Sequence, residues 1–423
     1  MNINHCYLGN TAMHRQAAYP YVNPVLATTR PSATSAAAFS ASAYPATTRY
    51  SGTSSDFSAS ANRNDEQTSS QLTNTESRLT QHLRILVGDH LELDGTNGPD
   101  TDLLPYEHMR MLGHGGTASV EMVRDIHTGS VYARKAVKNV YSRNMREAKQ
   151  ALLNEVKILK RLVAHHHVVR VHATYIKGRE LAMILDPVAD GGDLASFLQN
   201  YRDQGFSWHK DLTNKENLAQ NDILRKAPYC LASALAFIHK QTIRHKDIKP
   251  QNILIHRGRV MYTDFGLAYD FGDAGRSTTT GYLQGMTRRY CAPEVIECGS
   301  RNSKSDVFSL GCVFIEIYLA LADDAEHDQI YRGPYHEAVD SHPNGIPLPC
   351  CASFKSRIFA LLRAAVPTMM RRDPSLRPSA CAVANLIFTD ESFNKSPDLC
   401  LECSEFSTSV DDNKFLRLLP ATI

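Results

Sequence analysis

The run Ile243-Arg244-His245-Lys246-Asp247-Ile248-Lys249-Pro250-Gln251-Asn252-Ile253-Leu254 places a carboxylate, an ammonium and a carboxamide within six residues, beside apolar residues that can anchor them. Twelve residues past Asn252, after the apolar run Val260-Met261-Tyr262, comes Asp264-Phe265-Gly266. Oxygen donors converging from two separate loops suit Mg2+, a hard cation that prefers oxygen and shares its shell with phosphate. Upstream, Met109–Val123 reads as strand, turn and strand, with Gly113-His114-Gly115-Gly116-Thr117-Ala118-Ser119-Val120 at the bend. Glycines let a backbone approach phosphates closely and offer them amide N–H donors. The chemistry suggested is handling of a phosphate ester with a bound cation.

Other elements must hold these groups in place. After the turn His127-Thr128-Gly129, the strand-like Val131-Tyr132-Ala133-Arg134-Lys135 puts Ala133 and Lys135 on one face. An inward lysine is costly unless it meets an anion, either a phosphate or a carboxylate. Met145–Leu162 has helical periodicity, with Leu152, Glu155, Leu159 and Leu162 on one face, and Glu155 is the acidic member of that apolar stripe. It is the carboxylate available to Lys135.

The 423 residues carry 46 Lys and Arg against 44 Asp and Glu, a net charge of +2 that argues against a nucleic-acid-coating protein or a polybasic membrane binder. No run of 18 uninterrupted apolar residues occurs, so no membrane span is expected. The N-terminus lacks a basic and then apolar secretory leader, and the ten cysteines are scattered. Both point to reduced thiols in an intracellular, cytoplasmic or nuclear protein. Residues 1–80 hold 12 Ser, 11 Thr and 13 Ala and are expected to be a disordered extension. Arg15, Arg30 and Arg49 precede its first acid, Asp56, a transit-peptide composition that keeps mitochondrial import as an alternative. Residues 81–103 read as a linker whose stretch Arg84–Leu93 can form a short strand or helix, 104–389 as one domain of alternating strands and helices, and 390–423 as a polar tail.

Further motifs follow in order: Tyr290-Cys291-Ala292-Pro293-Glu294, Asp306-Val307-Phe308-Ser309-Leu310-Gly311, and Arg372-Asp373-Pro374-Ser375-Leu376-Arg377-Pro378. Together with the glycine loop, Lys135, Asp247–Asn252 and Asp264, they make residues 104–389 resemble a eukaryotic serine/threonine protein kinase. The wording of Leu231–Leu254 is similar to kinase-domain proteins of filamentous fungi. The resemblance implies an α+β bilobal fold: a small β-rich lobe with one helix (104–188) and a larger, mostly α-helical lobe (189–389). It implies ATP and Mg2+ as cofactors and protein substrates with Ser or Thr acceptors.

By the same resemblance, Gly113, Gly115 and Val120 cover the nucleotide, and Lys135 holds its α/β-phosphates and pairs with Glu155. Leu185 takes the gatekeeper position, with Asp186, Pro187 and Val188 as the adenine-facing hinge and Ala133 and Leu254 sandwiching the ring. Asp193 is the candidate for the ribose hydroxyls, the Asp190-Gly191-Gly192 run allowing a one-residue shift. Asp247 is the base, Lys249 neutralises the transferred phosphoryl group, and Asn252 and Asp264 hold magnesium. Lys249-Pro250 and Thr287 favour Ser/Thr acceptors. Glu294 and Arg377 form a buried structural ion pair.

Some positions depart from the family pattern. Ala118 stands for the third loop glycine, Lys246 for the arginine before the catalytic aspartate, and Phe308 for a tryptophan. Lys offers a point charge where Arg offers a bidentate fork, which weakens control by phosphorylation at Ser277, Thr278, Thr279 or Thr280. The second Asp270-Phe271-Gly272 is read as coincidence. His165-His166-His167 is read as a plain turn, and Cys400-Leu401-Glu402-Cys403 as a thiol pair lacking the partners a structural zinc needs. The opposing functional reading is a pseudokinase that uses the fold as a scaffold. A small-molecule phosphotransferase is disfavoured by Ala292-Pro293-Glu294 and Lys249-Pro250.

Overall fold

Alternation of side chains along strands generates two buried faces from one sheet. On the strand Glu180–Asp186, Ala182 and Ile184 face one apolar cluster while Met183 and Leu185 face the other. The computed structural model describes residues 82–93, 103–114, 118–138, 140–206, 213–272, 287–322, 333–349, 357–388, 400 and 403. The expected disordered extension 1–80 lies outside them, as do Gly115 and Ser277–Thr280.

The small lobe contains β1 (His90–Leu93), β2 (Tyr106–His114), β3 (Ser119–Asp125), β4 (Val131–Val137), β5 (Arg170–Lys177) and β6 (Glu180–Asp186), with helix α1 (Met145–Leu162) between β4 and β5. They form one six-stranded sheet in the order β1-β5-β6-β4-β3-β2. The other pairings are antiparallel, whereas β1 runs parallel to β5 with His90 opposite Thr174. A 2.8 Å bond between His90 Nδ1 and Thr174 Oγ1 pins that register, and Lys149 of α1 reaches Glu92 at 2.5 Å. Of the two forms open to the stretch Arg84–Leu93, its last four residues take the strand, at the edge of the sheet. Its first half supplies Ile85, buried with Val123, Ala136, Ala173 and Ile184, against which Leu83 and Leu91 also pack. This covers the sheet face turned away from α1.

The large lobe is helical: α2 (Leu194–Asp203), α3 (Lys215–Lys240), α4 (Pro293–Ile296), α5 (Ser303–Ala322), α6 (Tyr335–Ser341), α7 (Arg357–Met369) and α8 (Ala380–Phe388). Short strands β7 (Ile243–Arg244), β8 (Ile253–His256), β9 (Arg259–Tyr262) and β10 (Tyr269–Asp270) pair as β10–β7 and β8–β9. Asn214 caps α3 by accepting from the Glu216 and Asn217 amides at 2.9 and 3.2 Å. Helix α5 is long and apolar enough to cross a membrane by length and composition, but 83% of its apolar window is buried inside the domain. It packs against α7, while α3 packs against α8. A helix apolar on all sides is what the centre of a large core requires.

Candidate active site

Strand register brings the first group of residues together. Gly113 lies opposite Val120, Val120 opposite Lys135, and Lys135 opposite Met183, so β2, β3, β4 and β6 form one line across the sheet. Two residues back on β4, Ala133 faces Leu185 of β6. A Cβ added to Gly113 would meet nothing within 4 Å, so the backbone there is open on the side where a side chain would stand. Val188 packs on the main core beyond β6.

Lys135 meets both carboxylates. Its Nζ donates to Glu155 Oε1 at 2.9 Å and to Asp264 Oδ1 at 2.7 Å. Burial alone would lower the Lys135 ammonium, but Glu155 and Asp264 outweigh it and hold the group above the ordinary lysine range. Burial likewise opposes ionisation of Asp264, and the Lys135 charge outweighs it, keeping the carboxyl below its usual value. Gly266 fits between these acids, since a methyl there would stand 3.4 Å from Glu155 Oε2 and 3.5 Å from Asp264 Oδ1.

The second cluster forms around Asp247. Its Oδ2 accepts from Lys249 Nζ at 2.7 Å and from Asn252 Nδ2 at 2.9 Å, and the Asn252 amide also reaches the Asp247 carbonyl at 2.8 Å. Lys249 further donates to Thr287 Oγ1 at 2.8 Å, tying the Asp247–Asn252 run to the segment before α4. The Thr263 amide donates to the Asn252 carbonyl at 3.0 Å, so Asp264 begins one residue from that contact. With its amide nitrogen engaged by Asp247, Asn252 has its side-chain oxygen left for a cation. Together with the Asp264 carboxylate this is a hard-oxygen donor set of the kind Mg2+ takes.

Two buried groups that the motif reading quoted without a role hold this loop. Asp306, 2% exposed, accepts from the His245 and Lys246 amides at 2.9 and 2.8 Å and from His239 Nε2 at 2.9 Å. His245 lies 3.0 Å from the Thr263 carbonyl through Nε2, and its ring stands 4.5 Å from that of Phe265. Lys246 and Asp264 both have left-handed backbones, with φ of 69° and 60°. Such non-glycine positions cost about 1–3 kcal/mol each and persist only where surrounding bonds enforce them. The sequence signal for both supports was their place in motifs of fixed spacing.

The carboxylates of Asp186 and Asp193 have partners within the domain. Asp186 ends β6 opposite Arg170, and its carboxylate accepts from that arginine at 3.1 Å. Asp193 caps α2, accepting from the Ser196 amide at 3.0 Å and its hydroxyl at 2.9 Å. It also bridges to Leu254, which places the ribose candidate beside the adenine candidate.

Residues 106–388 match the family described as protein kinase domain. The chain belongs to the protein kinase domain family. Among curated relatives it is 31% identical over 267 residues to the MAP kinase kinase kinase wis4 of Schizosaccharomyces pombe, covering 60% of this chain and 17% of that one. It is 30% identical over 237 residues to the serine/threonine-protein kinase AtPK1/AtPK6 of Arabidopsis thaliana, covering 55% and 45%. It is 30% identical over 227 residues to the serine/threonine-protein kinase nekl-2 of Caenorhabditis elegans, covering 52% and 60%. The chain thus spans from about a sixth to three fifths of the length of these relatives.

Within this kinase domain the departures are accommodated. Arg377 makes a two-pronged pair with Glu294, 2.8 Å on each arm, and lies 4.9 Å over the Phe308 ring. Phe308 therefore keeps an aromatic face under that guanidinium. Lys246 Nζ stands 5.7 Å over Tyr269, and burial with Arg244 and Arg301 nearby holds its ammonium below the ordinary lysine range. Asp270, of the second Asp-Phe-Gly, binds Arg161 of α1 and Thr242 rather than Lys135. One reading is overturned: Cys400 and Cys403 do not lack histidine neighbours, because His166 and His167 lie against them.

Proposed function

We propose that the domain is a Mg2+- and ATP-dependent protein kinase acting on Ser and Thr hydroxyls. The observation that carries this reading is Lys135 in contact with Glu155 and Asp264 at once, beside an Asp247–Lys249–Asn252 cluster joined by hydrogen bonds. A scaffold has no need to keep five charged groups and an amide, Lys135, Glu155, Asp264, Asp247, Lys249 and Asn252, in two such hydrogen-bonded clusters.

Asp247 is the carboxylate placed to accept or orient the proton of an incoming hydroxyl. Its neighbour Lys249 supplies positive charge that neutralises the γ-phosphoryl group during transfer. Asn252 and Asp264 would hold the cation, which neutralises phosphate charge during transfer. Lys135 takes the α/β-phosphates, and Glu155 keeps that lysine aimed. The protein's share is positioning and electrostatics, with little bond-making of its own. The Thr287 hydroxyl on Lys249 supports a Ser/Thr acceptor class, as do the relatives named above.

Incubating the purified chain with MgATP and a mixed Ser, Thr and Tyr peptide library, then mapping phosphosites by mass spectrometry, tests activity and acceptor class together. Phosphoserine and phosphothreonine are expected, with Asp247→Asn losing roughly 10²–10⁴ of the rate while nucleotide affinity stays within a few-fold. Nucleotide binding without any phosphoprotein identifies a pseudokinase, and phosphotyrosine alone removes the Ser/Thr assignment.

A further inference from the structure

The histidine run after α1 and the Cys-x-x-Cys of the tail are remote in sequence, with 234 residues between His166 and Cys400. The fold nevertheless brings one ligand atom each from His166, His167, Cys400 and Cys403 within 4.8 Å of one another. His166 Nε2 is 3.3 Å from Cys400 Sγ and 3.7 Å from Cys403 Sγ. Zn–S bonds near 2.3 Å and Zn–N bonds near 2.0–2.1 Å place tetrahedral neighbours about 3.3–3.8 Å apart, the spacing these pairs already have.

His167 is the second, independent observation. Its ring is fully buried, and Nδ1 lies 2.5 Å from the Val260 carbonyl, so Nδ1 carries the hydrogen and Nε2 the lone pair. Nε2 is a buried atom that makes no hydrogen bond of ordinary geometry and lies towards Cys400. A buried polar atom left so has lost its hydration without replacement, and a metal bond removes that cost. A histidine oriented through its other nitrogen by a carbonyl is the usual support of a metal ligand. The backbone is fixed too, since the Tyr262 amide donates to the His167 carbonyl at 2.8 Å.

We propose that His166, His167, Cys400 and Cys403 are the four ligands of a structural zinc ion that staples the C-terminal segment to the loop ending α1. Two nitrogens and two sulfurs without a carboxylate select zinc over Mg2+ or Ca2+, and four protein ligands close the site to catalysis. Binding forms two Zn–S and two Zn–N bonds and releases the thiol protons to solvent, with no change of oxidation state. The staple anchors the loop behind α1, the helix that carries Glu155. Cys230 of α3 touches both cysteines but lies outside the ligand set.

The test uses the full chain purified under reducing conditions without chelator. Elemental analysis is expected to give about one zinc per chain, Cys400→Ser and Cys403→Ser to lose it, and Cys230→Ala to keep it. Because a cysteine variant can misfold, the wild-type protein is also refilled with Co2+, expected to show the strong visible bands of tetrahedral thiolate coordination. Chelator is expected to lower the thermal midpoint of wild type and leave the Cys400→Ser/Cys403→Ser chain unmoved. Less than about a tenth of a zinc per chain after incubation with Zn2+ overturns the proposal. So does undiminished zinc in the double variant, or a Co2+ spectrum without those bands. None of these readouts depends on kinase activity.

Discussion

Lys135 shows how a single side chain joins two lobes. Its ammonium sits on β4 yet holds one carboxylate from α1 and one from the loop after β9. Replacing it strands both acids in a partly buried site, where each opposes the other. Lys135→Met is expected to cut phosphoryl transfer by roughly 10²–10³, the range for losing one preorganised electrostatic contact. Autophosphorylation measured with MgATP checks this, and an unaltered rate removes Lys135 from the reaction. The same residue shows what local reading can reach. An inward lysine two places from an alanine on a strand called for an anion, and a glutamate in an apolar helical stripe was the carboxylate on offer. Asp193 shows what the resemblance leaves out: beside the ribose contact it implies, the carboxylate caps a helix, with Oδ1 on the Ser196 amide and Oδ2 on the Ser196 hydroxyl.

At the scale of elements, α1 was legible to its ends, Met145 and Leu162, because a 3.6-residue period is written in the chain itself. The strand β1 was legible only as a stretch that could be strand or helix. Four residues carry little periodicity, and what makes them a strand is β5, more than 80 residues away. The segment before β1 is equally non-local, since Ile85 has meaning only against Val123, Ala173 and Ile184. Removing its side chain leaves a cavity on the outer sheet face, far from the nucleotide cleft. Ile85→Ala is expected to destabilise the chain by about 2–5 kcal/mol without changing kcat at a temperature where it stays folded. Urea midpoints with parallel rate measurements decide between this and a passive linker, for which neither quantity moves.

Across the whole molecule, the site was readable where short motifs carry it and opaque where long-range packing does, as with His166 beside Cys400. Asp306 links the two regimes, because this one buried carboxylate joins α5 to α3 through His239 and to the catalytic run through the His245 and Lys246 amides. Burial would raise its pKa above the ordinary 3.8, but the His239 bond, the nearby His245 and the Lys246 amide outweigh burial and hold it lower. A carboxyl depressed in the folded state contributes stability that is complete above its unfolded value and is lost as pH falls through the folded one. The stability that Asp306 itself contributes is therefore lost in acid, from about pH 4 downward. The urea midpoint of wild type is expected to fall steeply below that point. Asp306→Asn is expected to be destabilised already at pH 7, because a carboxamide cannot reproduce both charge-assisted amide bonds, and to show a shallower acid slope. Equal slopes for the two chains would move the acid lability to other carboxylates, and an undiminished midpoint at pH 7 would show that the catalytic run stands without Asp306.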